Sequence, residues 1–322
     1  MLSRRHLIAA TALAAPALIA RRAEAAGDTV RLGYIVDYQN ASLPAIAADQ
    51  KMWEAEGLVP DVKVFTNGPI QIQAMGAGSL DFGAIGPGAL WLPASGRTKV
   101  VAVNLLTFSD RVISQSEYSK LEDLRGKKVG VPQGTSGEMI LRLTLAKAGM
   151  TVADIDMVPM DPSTIVAAFS SKQIAGAGIW YPLIEVIKRR VPGLHELSAD
   201  EDFYPKISFP NTFVAREDTM KNNPELVRRF VRVLKRAMDY RAANVDRSVE
   251  LSAAMLGAPV DSVRALAQTV KLLTSADLVK LTQDGTVDGW FQNFNDMFKA
   301  FGTLKEALPP SQWYDGKLFV SA

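Results

Sequence analysis

The chain has no cysteine, which excludes disulfides, thiolate metal sites and a cysteine nucleophile. Histidine is nearly as scarce, with only His6 and His195. Two-histidine zinc motifs are therefore excluded, and a Ser-His-Asp hydrolase would depend on one residue. His195, in the loop PGLHELSAD, has no G-x-S-x-G elbow nearby and reads as a surface side chain. No uncharged apolar run reaches the roughly 18 residues that span a bilayer. Charge of one sign is also missing: 36 Lys+Arg against 34 Asp+Glu leave a net of +2. That balance argues against non-specific nucleic-acid binding.

What is present begins with an address. Ser3, Arg4 and Arg5 precede the uncharged stretch 6–20, and Ala23-Glu24-Ala25 offers the small-x-small pattern of a signal-peptidase site. SRRHL looks like a twin-arginine signal, and Arg21-Arg22 just before the cleavage site fits that route. Residues 1–25 are thus expected to be a cleaved signal peptide. Its removal takes four arginines and one glutamate, leaving a net charge of about −1. With no cysteine to lipidate, the mature protein is expected to diffuse freely in a periplasm.

The remaining length suits two lobes, and the pattern of strands and helices is written twice. Residues 29–35 read as a strand followed by a polar loop, VDYQNAS. A helix over 44–56 stops at Gly57, and a strand over 62–65 follows. Asn67-Gly68-Pro69 then opens a helix ending near Gly76, and 80–85 is a strand. The same order returns as strand 128–131, loop PQGTS, helix 137–148 stopped by Gly149, strand 156–160, a helix opened by Asp161-Pro162-Ser163, and strand 174–180. Such alternation predicts parallel sheets covered on both faces, with ligand loops along one edge. In the helical remainder, Leu226, Phe230, Val233, Leu234 and Ala237 form an apolar stripe. Arg228, Arg229, Arg232, Lys235 and Arg236 crowd the other side and read as a solvated face. Trp290, Phe291, Phe294, Met297, Phe298 and Phe301 recur at helical spacing and read as a docking core.

The loops offer little catalysis. QGTSG lacks the lysine and spacing of a P-loop, which disfavours nucleotide hydrolysis. It does suit an anion, since Thr135 or Ser136 caps a helix start whose free amides face a ligand. Asn67 opens a second helix, and Gly86-Pro87-Gly88 brings backbone close. One helix end contributes about 0.3–1 kcal/mol, whereas micromolar binding needs about 8 kcal/mol. Several donors must therefore converge, as they do when two lobes close.

The segments VRLGY, AMGAGSLDFGAIGPGAL, LEDLRGKKVGVPQGTSGEMILR, AGIWYPLIEV and NTFVAREDTMKNNPELVRRF, in that order, resemble the periplasmic substrate-binding proteins of ABC importers for taurine, aliphatic sulfonates, nitrate and related compounds. The resemblance implies an α/β fold of two lobes, each a mainly parallel sheet flanked by helices, joined by a two-stranded hinge. Lobe one would take residues 26–112 and 212–322, and lobe two residues 113–211. It further implies a non-catalytic importer component without cofactor or metal, acting as a monomer. Its partners would be a small-molecule ligand, an ABC permease and, through that, the cytoplasmic ATPase.

Carried over by position, the ligand residues would be Gln39, Asn40, Asn67, Gly86, Pro87, Asp110, Thr135, Ser136, Trp180, Tyr181 and Asn211, with 107–110 near the hinge. The expected ligand is a small anion, an aliphatic sulfonate with taurine among the candidates. Its head would sit at the Thr135-Ser136 helix start and its chain near Trp180, with Arg111 the one arginine within reach. LTSADLV is closest to the taurine branch. The chain departs from that branch at neutral Asn211, where an aspartate would suit an ammonium, and in its first loop, where Gln39 and Asn40 leave Asp37 as the nearby carboxylate. Ala175 also stands where the family often has an aspartate. The alternatives are nitrate, or a nitrogenous or pyrimidine-type ligand stacked on Trp180 and paired with Asp37 or Asp110. A related thiamin-pyrimidine enzyme would need a cysteine-rich motif that is absent here.

Overall fold

The computed structural model describes residues 27–322, so the expected signal peptide lies outside the described residues. Strands β1 (Asp28–Ile35), β2 (Leu58–Phe65), β3 (Phe82–Ile85) and β4 (Lys99–Thr107) build a first sheet. The chain then crosses and builds a second sheet from β5 (Asp110–Ser114), β6 (Lys128–Val131), β7 (Asp156–Pro159), β8 (Gly176–Trp180) and β9 (His195–Ala199). It returns with β10 (Pro210–Ala215) and, after four helices, β11 (Val270–Leu272). The orders are β11-β4-β10-β3-β1-β2 and β7-β6-β8-β5-β9.

The doubled grammar is visible in those orders, since β2-β1-β3 and β7-β6-β8 are both parallel triplets with the first strand of each unit in the middle. The sheets are nonetheless mixed rather than mainly parallel. β10 and β5, the strands that carry the chain back from one lobe and into the other, lie antiparallel beside the triplets. The crossings also fall elsewhere than expected. The chain leaves the first sheet at Thr107 and joins the second at Asp110, inside the span assigned to lobe one, and it re-enters the first sheet at Pro210.

The larger core lies in the first lobe. Helix Pro224–Ala243 lays Leu226, Phe230, Val233, Leu234 and Ala237 against the sheet, all buried, and Phe230 stacks on Phe82 at 3.9 Å between ring centroids. Burying one such aromatic contributes about 1.5–3 kcal/mol. The basic face of that helix is tied down by carboxylates: Arg229 pairs with Asp28, and Arg232 and Arg236 both reach Glu56. Phe291, Phe294 and Phe298 of helix Thr286–Ala300 are buried in the same core. His195 opens edge strand β9 rather than lying in a loop, and its Nε2 stands 3.1 Å from the Ser116 carbonyl. No helix among the described residues is long and apolar enough to cross a membrane.

Candidate functional site

At the end of β1 the chain does not run on as a polar loop. Asp37 caps helix Tyr38–Asp49, so Gln39 and Asn40 belong to its first turn. The helix starts before Pro44 and carries that proline inside, which was the signal that placed its start too late. Asp37 earns the cap by accepting from the Asn40 backbone N–H at 2.8 Å, and it also holds the Asn40 side-chain amide with both oxygens, at 2.8 and 2.9 Å. Asn67 caps helix Gly68–Gly76, accepting from Ile70 N–H at 3.1 Å. Gly86 and Pro87 follow β3, and Asn211 enters from β10.

The second lobe supplies the opposite wall. Thr135 caps helix Ser136–Lys147 by accepting from Gly137 N–H at 3.3 Å. Ser136 donates through its hydroxyl to Asp110 at 2.6 Å. Asp110 and Trp180 face each other in the β5–β8 register. The helix can lie this close because Gly137 and Gly178 are bare: a Cβ on Gly178 would stand 2.0 Å from the Gly137 carbonyl oxygen. The lobes touch across the cleft, where Trp91 donates to the Gly134 carbonyl at 3.0 Å. A Cβ on Gly88 would sit 2.2 Å from the Ser136 nitrogen.

Between these walls lies a void of ≈ 400 Å³, its open mouth included. Asn40, Asn67, Gly86, Pro87, Asp110, Thr135, Ser136, Trp180 and Asn211 all line it. Two expected residues do not. Gln39 is buried behind the wall, donating to the Thr107 and Ser109 hydroxyls on the first crossing. Tyr181 follows Trp180 but turns outward, where its hydroxyl meets Glu196 and Lys188. Arg111 also points away, pairing with Glu196 and Glu201 at 3.1 Å each. The lining also includes Asp37, Thr107 and Ser109, together with Ile35, Gly68 and Ala89. The cap signature D-x-x-N at Asp37 could have flagged the first of these.

The electrostatics differ from the expected anion cradle. Among the described residues no lysine or arginine lines the void, and two carboxylates do. Burial pushes Asp37 up to about 7 against the bonds from Asn40, which pull it down. Burial likewise pushes Asp110 up to about 6, with the Ser136 hydroxyl and the Arg111 charge opposing. Asp200, wholly buried, accepts the Asp110 backbone N–H at 2.9 Å, and burial together with the Asp110 charge raises it well above the carboxylate range. The hydroxyls at the helix start offer little to an anion in this arrangement, because Ser136 donates to Asp110 and Thr135 donates to the Pro132 carbonyl. Among the described residues, no group of three or more His, Cys, Asp or Glu is placed to hold a metal ion.

Two mixed sheets joined by two crossings, with a polar void where the strand ends of both lobes meet, make the fold of the two-lobed periplasmic solute-binding proteins. The sequence model described as NMT1/THI5 like matches residues 39–248, and the chain belongs to that family. A protein of Brucella abortus (strain 2308) named only as a binding protein is 53% identical over 292 residues, 91% of this chain and 92% of that protein. The taurine-binding periplasmic protein of Escherichia coli (strain K12) is 27% identical over 243 residues, 73% of each chain. Among solved structures, the alkanesulfonate-binding protein SsuA from Xanthomonas axonopodis pv. citri, bound to MOPS, superposes with a TM-score of 0.73 at 20% identity. The match covers 90% of this chain and 99% of that one.

Proposed function

We propose that this chain is the solute-binding component of an ABC importer and that its ligand is a small amino-sulfonate of the taurine type, closed between the lobes and handed to a membrane permease coupled to a cytoplasmic ATPase. The observation that carries the ligand is the pair of buried carboxylates, Asp37 and Asp110, in a void that no lysine or arginine lines among the described residues. A plain alkanesulfonate or nitrate would face that pair without a compensating charge. An amine on the ligand supplies one, and each carboxylate keeps acceptor capacity for it. The sulfonate head lies at the start of helix Ser136–Lys147, whose first amides have no partner within the helix, and the short chain lies on Trp180. Export by a cleaved twin-arginine signal, with a free monomeric mature chain beginning near Ala26, completes the reading.

A second reading rests on Trp180 itself. An aromatic face beside two acceptors and several amides also suits a flat, amine-bearing pyrimidine. Calorimetry at pH 8 with taurine, ethanesulfonate, nitrate and an aminopyrimidine separates the readings. Taurine is expected to bind at least about tenfold tighter than ethanesulfonate, and the preference is expected to shrink below pH 6 as Asp37 and Asp110 take up protons. Equal affinity for the two sulfonates would sink the amine assignment, and binding of the pyrimidine alone would establish the second reading.

A further inference from the structure

Arg241, in the long helix Pro224–Ala243 of the first lobe, is fully buried and outside the ligand void. Among the described residues its guanidinium bonds no carboxylate. It donates instead to the Ser42 hydroxyl at 2.9 Å and to Asn104, once at the side-chain oxygen and once at the carbonyl, both at 2.8 Å. Burial lowers its pKa to about 10, so it stays charged at neutral pH. A buried cation without an anion beside it is costly, and its bonds show where the compensation lies.

From Arg241 a single file of amides runs to the void. Asn104 donates to the Asn211 side-chain oxygen at 3.0 Å, Asn211 donates to the Asn40 oxygen at 3.2 Å, and Asn40 donates to both Asp37 oxygens. All three asparagines are buried. The direction of the file is forced, because a guanidinium has only donors. Asn104 must therefore turn its oxygen to Arg241 and its amide onward, and each following link inherits the same sense. The file ends in two N–H bonds on Asp37, the lining carboxylate of lobe one. Asn211 spends one N–H and one oxygen lone pair on the file and still lines the void, so it is a link of the file that keeps a second N–H.

We propose that Arg241 is a positioning residue of the binding site: through Asn104, Asn211 and Asn40 it holds the Asp37 carboxylate as an oriented acceptor for the ligand's amine. This rests on the amino-sulfonate reading only for the identity of the group that Asp37 receives. The titratable group that acts on Asp37 is Asp110 on β5, itself backed by Arg111, Asp200 and Glu201, while Asp37 in turn raises Tyr34 on β1. None of them belongs to the file.

The test is carboxyl ¹³C NMR titration of Asp37 in the full mature chain without ligand, the signal assigned with Asp37→Asn. Arg241→Met is expected to raise the Asp37 midpoint by about one pH unit, and Arg241→Lys to restore most of it. Asn211→Leu keeps the cation but breaks the file, and it is expected to move the midpoint in the same direction; it also carries the test if Arg241→Met does not fold. A midpoint unmoved in Asn211→Leu would overturn the relay. In calorimetry, the ratio of taurine to ethanesulfonate affinity is expected to fall about tenfold in Asn211→Leu. Equal weakening of both ligands with an unmoved midpoint would reduce Arg241 to a scaffold residue. A wild-type protein that shows no preference for taurine would overturn the amine assignment, while the titration would still judge the relay.

Discussion

Each lobe brings one buried carboxylate into the void, and the two are held in different ways. Asp37 of the first lobe is met by oriented amides with a distant cation behind them. Asp110 of the second lobe is met by one hydroxyl, with Asp200, a second buried acid, at its backbone. The N–H donors favour the charged form of Asp37 against a burial that still pushes it up to about 7, whereas Asp110, pushed up to about 6, has a second buried acid behind it. The first lobe therefore fixes the direction of its acceptor, and the second places its acceptor beside another acid.

The largest expected effect breaks the first half of that contrast. Asp37→Asn should weaken taurine about a hundredfold at pH 8, from the loss of a charge-assisted bond of about 1.5–3 kcal/mol, and leave ethanesulfonate within a few fold. Isothermal calorimetry reads both. Next comes the contact between the lobes. Gly88→Ala puts a methyl group into the Ser136 backbone, an overlap costing about 1–3 kcal/mol, so affinity for every ligand should fall about tenfold or more. Small-angle scattering should then show the radius of gyration failing to shrink when ligand is added.

The third prediction concerns stability without ligand. Between the ordinary carboxylate range and about pH 7, folded Asp37 keeps a proton that the unfolded chain has released. Stability therefore falls as pH rises through that window. Asp37→Asn removes this dependence and should stabilise the unliganded chain by about 2 kcal/mol at pH 8 and by little at pH 4, as read by urea denaturation. The smallest effect sharpens the second half of the contrast. Asp200→Asn keeps an acceptor for the Asp110 N–H and removes one acid, so it should stabilise at pH 8 by about 1 kcal/mol while taurine affinity changes less than about threefold.

The doubled core units were legible because each strand and helix announces itself by period and by its stop glycine. The carrier strands were not. β4 reads KVVAVNLLT and is buried along nearly its whole length, so it shows no alternation to separate strand from buried helix. That is also why the crossings were misplaced. At the site, residues at helix starts and strand ends could be named from local signals, as Asn67, Thr135 and Ser136 show. Gln39 and Tyr181 misled because a side chain's direction depends on its place in a helical turn or strand, not on its rank in a loop. Arg241 carries a signal of its own: it continues the stripe Phe230, Leu234, Ala237 at the next core position, where an arginine is out of place.

The first crossing has a mechanical consequence. Only Phe108 and Ser109 separate β4 from β5, and Gln39 grips the hydroxyls on either side of Phe108. Two extended residues reach about 7 Å, so the leash forbids the lobes to slide apart or shear by much. What it leaves is rotation about the crossing itself. Displacement in such a rotation grows with distance from the axis, and the strip where Gly88 meets Ser136 and Trp91 meets Gly134 is the seam that parts, while Asp110, one residue from the leash, barely shifts.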